Sequence, residues 1–338
     1  MHFHRLGRRE FITLLGGAAA VGVWPAAARA QERARVPRVG VLVGGAADDP
    51  QVQPQMAAFK QALIELGWIE GRNIQVDYRF GASDVDRIQR LAKELVESQP
   101  DLIVAHTTPV TAALARETRT IPIIFVVVSD PVGSRFVASL SRPGGNMTGF
   151  VNIEASMGGK WVEFLREVSP RLARTAFIYN PETAPYSYFL SPFETAARSF
   201  GVEAMPSPVR SSDDIEAVIK RLAERPDCGL AVMPDVFTGA RHTYNQIIAL
   251  ATHHRIPAIY PYRYMAEAGG LLSYGTDNTD LFRRTPTYID RVLKGAKAAE
   301  LPVQLPTKFE FVVNLKTARA LDLDIPLKLR VFADEVIE

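Results

Sequence analysis

Short runs of consecutive apolar residues alternate along the chain with longer segments whose apolar positions recur at helical spacing. "RVGVLVGG" (38–45) is of the first kind and "QMAAFKQALIELGW" (55–68) of the second. The runs predict strands buried on both faces, and the spaced segments predict helices covering them, which together give a parallel α/β sheet. "NIQVDYRF", "DLIVAHT" and "IPIIFVVVSD" continue the strands, and "DVDRIQRLAKELVESQ" and "PVTAALARET" the helices. Asp84 opens the first of these helices, and Pro109 sits in the first turn of the second.

The alternation resumes after the glycine-rich segment "SRPGGNMTGFVNIE". Helices are expected at "MGGKWVEFLREVS", "SPFETAARSFG", "SDDIEAVIKRLAER" and "ARHTYNQIIALATHH", and strands at "RTAFIYN", "VEAMPS", "CGLAVMPD" and "IPAIYP". The two series share local wording. "KELVESQPDLIVAHT" corresponds to "KRLAERPDCGLAVMP", and "RTIPIIF" to "HRIPAIY". Matching order predicts two similar lobes. Too few elements follow for a third domain, so the helix "DLFRRTPTYIDRVLKGAK" is expected to return to the first lobe and "FEFVVNLKTARAL" to the second. The expected division is 36–150 plus 271–298 for the first lobe and 151–270 plus 299–338 for the second, a hinge crossed three times with a cleft between Rossmann-like lobes.

Composition adjusts this picture at the N-terminus. The 338 residues carry a net charge of +2, but the first thirty hold Arg5, Arg8, Arg9 and Arg29 against Glu10 alone. Without them 35 basic residues face 36 acidic ones, a balance that argues against a nucleic-acid surface. The segment "EFITLLGGAAAVGVW" after Arg8 and Arg9, and the small residues Ala28 and Ala30, read as a cleavable export signal over 1–30, with cleavage before Gln31. The paired arginines with Phe11 resemble a twin-arginine signal. Cys228 is the only cysteine, so no intrachain disulfide is available, and its apolar setting predicts a core position.

Ligands of such sheets bind beyond the C-terminal strand ends, where helix N-termini converge. Candidate contacts at those ends are Gly45, Thr107, Thr108, Ser129, Asp130, Asn152, Asn180, Asp235 and Tyr274. Tyr186, with Tyr179, Tyr188 and Phe237, is a candidate aromatic wall. Each polar candidate also suits capping or a turn; Asp130 in particular can cap the loop after its strand or face a ligand ammonium. Enzyme signatures are missing from the sequence: no G-x-G-x-x-G follows the first strand, and neither a Walker sequence nor H-E-x-x-H occurs. His253 and His254 are adjacent and diverge on a helix, so no metal or other cofactor is expected.

From about Val36 to Glu338 the chain resembles the ABC transporter substrate-binding proteins of the tryptophan-uptake type, a branch of the type I periplasmic binding fold. The resemblance is carried by "GWIEGRNIQVDYRF", "DLIVAHTTP", "SDPVGSRFVASLSRPGGNMTGF", "AEAGGLLSYG", "YIDRVLKGAKAAELPVQLPTKFEFVVNLKTARALDL" and "ADEVIE". It implies a non-catalytic periplasmic receptor, expected to be monomeric, that closes around a small solute and presents it to a membrane permease with its ATPase; an amino-acid-like solute is favoured because helix N-termini suit a carboxylate and acidic groups suit an ammonium. The alternatives on the same scaffold are an exported enzyme acting on an amino acid or small acid, and a ligand-sensing partner of a membrane receptor.

Overall fold

The computed structural model describes residues 35–183 and 185–338. The expected export signal at 1–30 lies outside the described residues. The first sheet consists of β1 (Arg38–Val43), β2 (Gln75–Phe80), β3 (Leu102–His106), β4 (Ile123–Val128) and β5 (Met147–Val151), in the order β2-β1-β3-β4-β5. All its pairings are parallel. Strands β3, β4 and β5 are buried along their whole length, which is why their sequences read as unbroken apolar runs.

Period-two alternation sends those side chains to two cores. Val41, Val104, Ile124 and Val126 face α1 (Val52–Glu65) and α9 (Asn278–Leu293), while Leu42, Ile103, Ala105 and Phe125 face α2 (Val85–Glu97) and α3 (Thr108–Glu117). The Asp84 carboxylate caps α2 by accepting from Arg87 N at 2.9 Å. Helix α9 is fastened to the first lobe by Trp68, whose Nε1 donates to Asp290 Oδ1 at 3.0 Å.

The second lobe contains α4 (Met157–Val168), β6 (Arg174–Tyr179), α5 (Ser187–Ser199), β7 (Glu203–Pro208), α6 (Ser212–Ala223), β8 (Cys228–Val232), α7 (Arg241–His253), β9 (Ala258–Tyr260), the short α8 (Arg263–Glu267) and β10 (Leu272–Thr276). After α9 come β11 (Phe309–Asn314), the short helices α10 (Leu315–Ala320) and α11 (Leu327–Phe332), and β12 (Glu335–Ile337). Its seven-stranded sheet runs β12-β11-β10-β9-β8-β6-β7, parallel except where β11 pairs antiparallel with β10. Trp161 of α4 is fully buried against Phe177 and Phe189, and its Nε1 donates to Tyr274 O at 2.9 Å. Cys228 is buried in the opposite layer of this lobe with Ile215, Ile219 and Ile247, and burial pushes its thiol up.

Two sequence expectations need correction. "LLSYG", which the boundary at 271 assigned to the first lobe, forms β10 in the second sheet, because its backbone pairs with β9 on one side and β11 on the other. The crossing therefore falls at Asp277, whose carboxylate caps α9 by accepting from Asp280 N at 3.1 Å. Helix α5 starts at Ser187, ahead of "SPFETAARSFG", and carries Pro192 inside it.

The chain passes between lobes after β5, after β10 and before β11, and the three segments are bonded to one another. Thr276 Oγ1 donates to Asn152 O, Asp277 N to Lys308 O at 3.2 Å, and Gln304 N to Gly149 O at 2.8 Å. Glycine is required at Gly149, where φ is +155° and a Cβ would lie 1.9 Å from Phe125 O.

Candidate ligand-binding site

The C-terminal strand ends of both sheets open into one cavity of about 730 Å³, counting the part open to solvent. The first lobe lines it with Gly45 and Asp49 after β1, with Val52 and Gln55 of α1, with His106, Thr107 and Thr108 at the junction of β3 and α3, and with Val127 and Ser129 at the end of β4. The second contributes Asp235 and Val236 after β8, and Tyr262 and Tyr264 after β9; Asn152 and Asn278 enter from the crossings.

Backbone geometry prepares this surface. Thr107, the residue before α3, has φ +85° and makes no side-chain cap, so its hydroxyl is left buried and without a partner. Helix α3 thus presents its N-terminus to the cavity with Pro109 in the first turn. At Val127 φ is +58° and the β4–β5 register shifts, a strained arrangement for a β-branched residue. The bulge exposes Val127 to the cavity. Gly45 allows Val52 close to the strand end, since a Cβ there would meet Val52 Cγ2 at 2.8 Å.

A polar chain links the floor. Ser129 N donates to Thr108 Oγ1 at 3.2 Å, and Ser129 Oγ donates to Asn152 Oδ1 at 3.0 Å. Burial pushes the pKa of the Tyr262 hydroxyl up to about 12, partly offset by the side chains of Asn152 and Asn278 beside it. Its ring stacks on Tyr264 with centroids 5.5 Å apart. The aromatic wall therefore comes from Tyr262 and Tyr264.

Asp235 is held by backbone donors: Oδ1 accepts from Phe237 N at 2.6 Å and Thr238 N at 2.8 Å, and Oδ2 accepts from Asn180 N at 3.4 Å. Desolvation outweighs those donors and pushes its pKa up to about 6. Asp49 is the other acid of the lining, and no lysine or arginine is among the described lining residues. Among the described lining residues the charged side chains are thus acidic, and the N-terminal ends of α1, α3, α7 and α9 all reach the cavity.

Of the sequence-derived candidates, Gly45, Thr107, Thr108, Ser129, Asn152 and Asp235 come together in this lining. Four do not. The Asp130 carboxylate accepts from Gly133 N at 2.8 Å and caps the turn after β4, in a backbone conformation of φ +41°. Asn180 is buried behind Asp235 and accepts from Glu182 N at 2.9 Å. Tyr186 stacks on Tyr179 at 4.5 Å, and Tyr274 packs on Phe164 at 5.0 Å within the second lobe's core. Asp49, Gln55, Tyr262, Tyr264 and Asn278 are lining residues that sequence reasoning missed. The internal repeat held the signal for the tyrosines: continuing "RTIPIIF" and "HRIPAIY" in register brings Tyr262 opposite Val127 and Tyr264 opposite Ser129. All four line the cavity.

Comparison with known proteins places the whole described domain. The model of the family described as ABC transporter substrate binding protein matches residues 39–337. The chain is 25% identical over 279 residues to the tyrosine-binding protein of Clostridioides difficile (strain R20291), covering 82% of this chain and 79% of that protein. Among solved structures, the ABC domain from Streptococcus pneumonia in complex with L-Trp superposes with a TM-score of 0.82 at 26% identity, over 89% of this chain and 99% of that one. A conserved domain protein from Vibrio cholerae O1 biovar eltor gives the same TM-score of 0.82 at 25% identity, over 89% of this chain and 100% of that one.

Proposed function

Because the chain belongs to the family of ABC transporter substrate-binding proteins, we propose that it is a periplasmic receptor for an amino acid, which it hands unchanged to a membrane permease and its ATPase. The observation that carries the choice of solute is the charge of the cleft: two carboxylates, Asp49 and Asp235, and no cationic side chain among the described lining residues. An ammonium group suits Asp235, which is placed by its backbone donors and raised by desolvation, so that a neighbouring cation favours its ionised form. A carboxylate suits the uncapped N-terminus of α3, beside the unpartnered Thr107 hydroxyl. The stacked Tyr262 and Tyr264 offer a face to the rest of the solute.

Support for the ligand class also comes from relatives, one named for binding tyrosine and one crystallised with L-Trp. Closure of the lobes about the three crossings, within a single chain, is supported by a lining shared by both lobes, since the complete set of contacts exists only when they approach. Periplasmic delivery accords with the export signal read in residues 1–30. Among the described residues, no helix is long and apolar enough to cross a membrane. Calorimetry with L-tryptophan and L-tyrosine tests the reading. One-to-one binding, with the amino acid recovered unaltered by chromatography, is expected. Conversion of the bound compound would show an enzyme instead.

A further inference from the structure

One wall of the cleft contains polar groups that no described residue satisfies. Gln55 Oε1, His106 Nδ1 and Asn278 Oδ1 are all buried without a hydrogen-bond partner, and all three residues line the cavity. Their grouping is a consequence of the fold. Gln55 lies on the buried side of α1 with Val52, Met56 and Phe59. His106 ends β3 two residues beyond Val104, whose side chain faces α1 and α9, and its ring meets the edge of Phe282 of α9 at 5.0 Å. Asn278 is the first residue of α9. Three elements of one layer thus deliver three polar side chains to the same end of the same sheet face.

The chemistry of this wall is specific. Burial pushes His106 down to about 3, so at neutral pH its ring is uncharged, with one N–H and one lone pair. Gln55 and Asn278 are neutral amides. His106 meets Phe282, and Gln55 lies beside Val52 and Met56; a buried polar atom left unpaired costs about 1–3 kcal/mol. A wall of neutral donors and acceptors is satisfied by a neutral hydrogen-bonding group. An apolar group would leave it unpaired, and a charged one would meet no counter-ion among these three side chains.

We propose that Gln55, His106 and Asn278 form the side-chain subsite of the cleft, and that they select an amino acid whose side chain ends in a neutral hydrogen-bonding group over its apolar counterpart. The inference rests on the amino-acid reading above and adds which amino acids are accepted. A site built around hydrogen bonds to a ligand rejects the analogue lacking them far more strongly than a pocket rejects a missing methylene, because its own buried groups are then stranded. Of these residues Gln55 gives the cleanest test, since leucine there has similar size and no polar atom.

The measurement is calorimetry on the full mature chain with L-tyrosine, L-tryptophan, L-glutamine, L-phenylalanine, L-leucine, L-lysine and L-glutamate. The tightest ligand is expected to be tyrosine, tryptophan or glutamine, at least about tenfold tighter than phenylalanine and leucine. Gln55→Leu is expected to shrink that ratio several-fold by weakening the polar-tipped ligand, while the unliganded melting temperature holds or rises. If Gln55→Leu does not fold, His106→Leu reads out the same ratio. Phenylalanine or leucine binding as tightly as tyrosine, a charged amino acid binding tightest, or a ratio unchanged in the variants would each overturn the subsite while leaving the amino-acid reading standing. Binding of none of the seven would overturn that reading and this inference with it.

Discussion

Replacing Asp235 by asparagine separates its charge from its role in the loop. The asparagine oxygen can still accept from Phe237 N and Thr238 N, the bonds of 2.6 and 2.8 Å, and only the 3.4 Å bond from Asn180 N is given up. What disappears is the charge. If that charge meets a ligand ammonium, affinity at pH 7 falls by about 1.5–3 kcal/mol, or roughly 10- to 150-fold in Kd. Stability moves the other way. The folded pKa is raised from 3.8 to about 6, so as pH rises the unfolded chain sheds this proton before the folded one does, and the unliganded protein loses stability between about pH 4 and 6. The loss reaches about 3 kcal/mol at most, offset in the variant comparison by about 1 kcal/mol for the missing Asn180 bond. The groups facing Asp235 are Asp49 across the cleft and the hydroxyls of Tyr262 and Tyr264. Urea denaturation and calorimetry at pH 4, 5, 6 and 7 read both effects. Wild-type affinity should climb with pH through about 6 as the carboxylate ionises, and that climb should vanish in Asp235→Asn. An asparagine variant that binds equally well with the same pH profile would refute the ammonium contact.

Asp130→Asn retains the oxygen that accepts from Gly133 N and is expected to leave affinity within about twofold by calorimetry; a tenfold loss would return the ammonium to Asp130. Gly149→Ala, which forces a Cβ within 1.9 Å of Phe125 O, should cost about 3 kcal/mol or more in urea unfolding. Tyr262→Phe removes the buried hydroxyl beside Asn152 and Asn278 and should weaken ligand binding by about 1 kcal/mol, close to fivefold in Kd.

The elements were legible because each has a local cause. β4 is buried on both faces, so "IIFVVV" cannot read as anything amphipathic, and Asp84 caps the helix whose start it marks in the sequence. Lobe membership is not local. "LLSYG" is equally good as a strand of either sheet, and only its pairing with β9 and β11 assigns it. The same distinction divides the site. Thr107, Ser129 and Asp235 stand at strand ends, where any parallel sheet directs its ligand contacts. Asp130 and Asp235 both follow apolar strands, and what separates them is the turn: at φ +41° Asp130 folds onto Gly133, whereas Asp235 stays in the cleft. Gln55 and Asn278 were out of reach because they sit within helices where a polar residue usually means solvent. Packing of α1 beside α9 turns both toward the cavity.

Native mass spectrometry of the freshly purified mature protein tests the central claim most directly, because it identifies what the cleft carries without a guess at the solute. The account predicts a one-to-one complex whose released component has the mass of an amino acid, and predicts that this complex is absent when Asp235 is replaced by asparagine. A released sugar, metal chelate or inorganic anion held in that same cleft would contradict it.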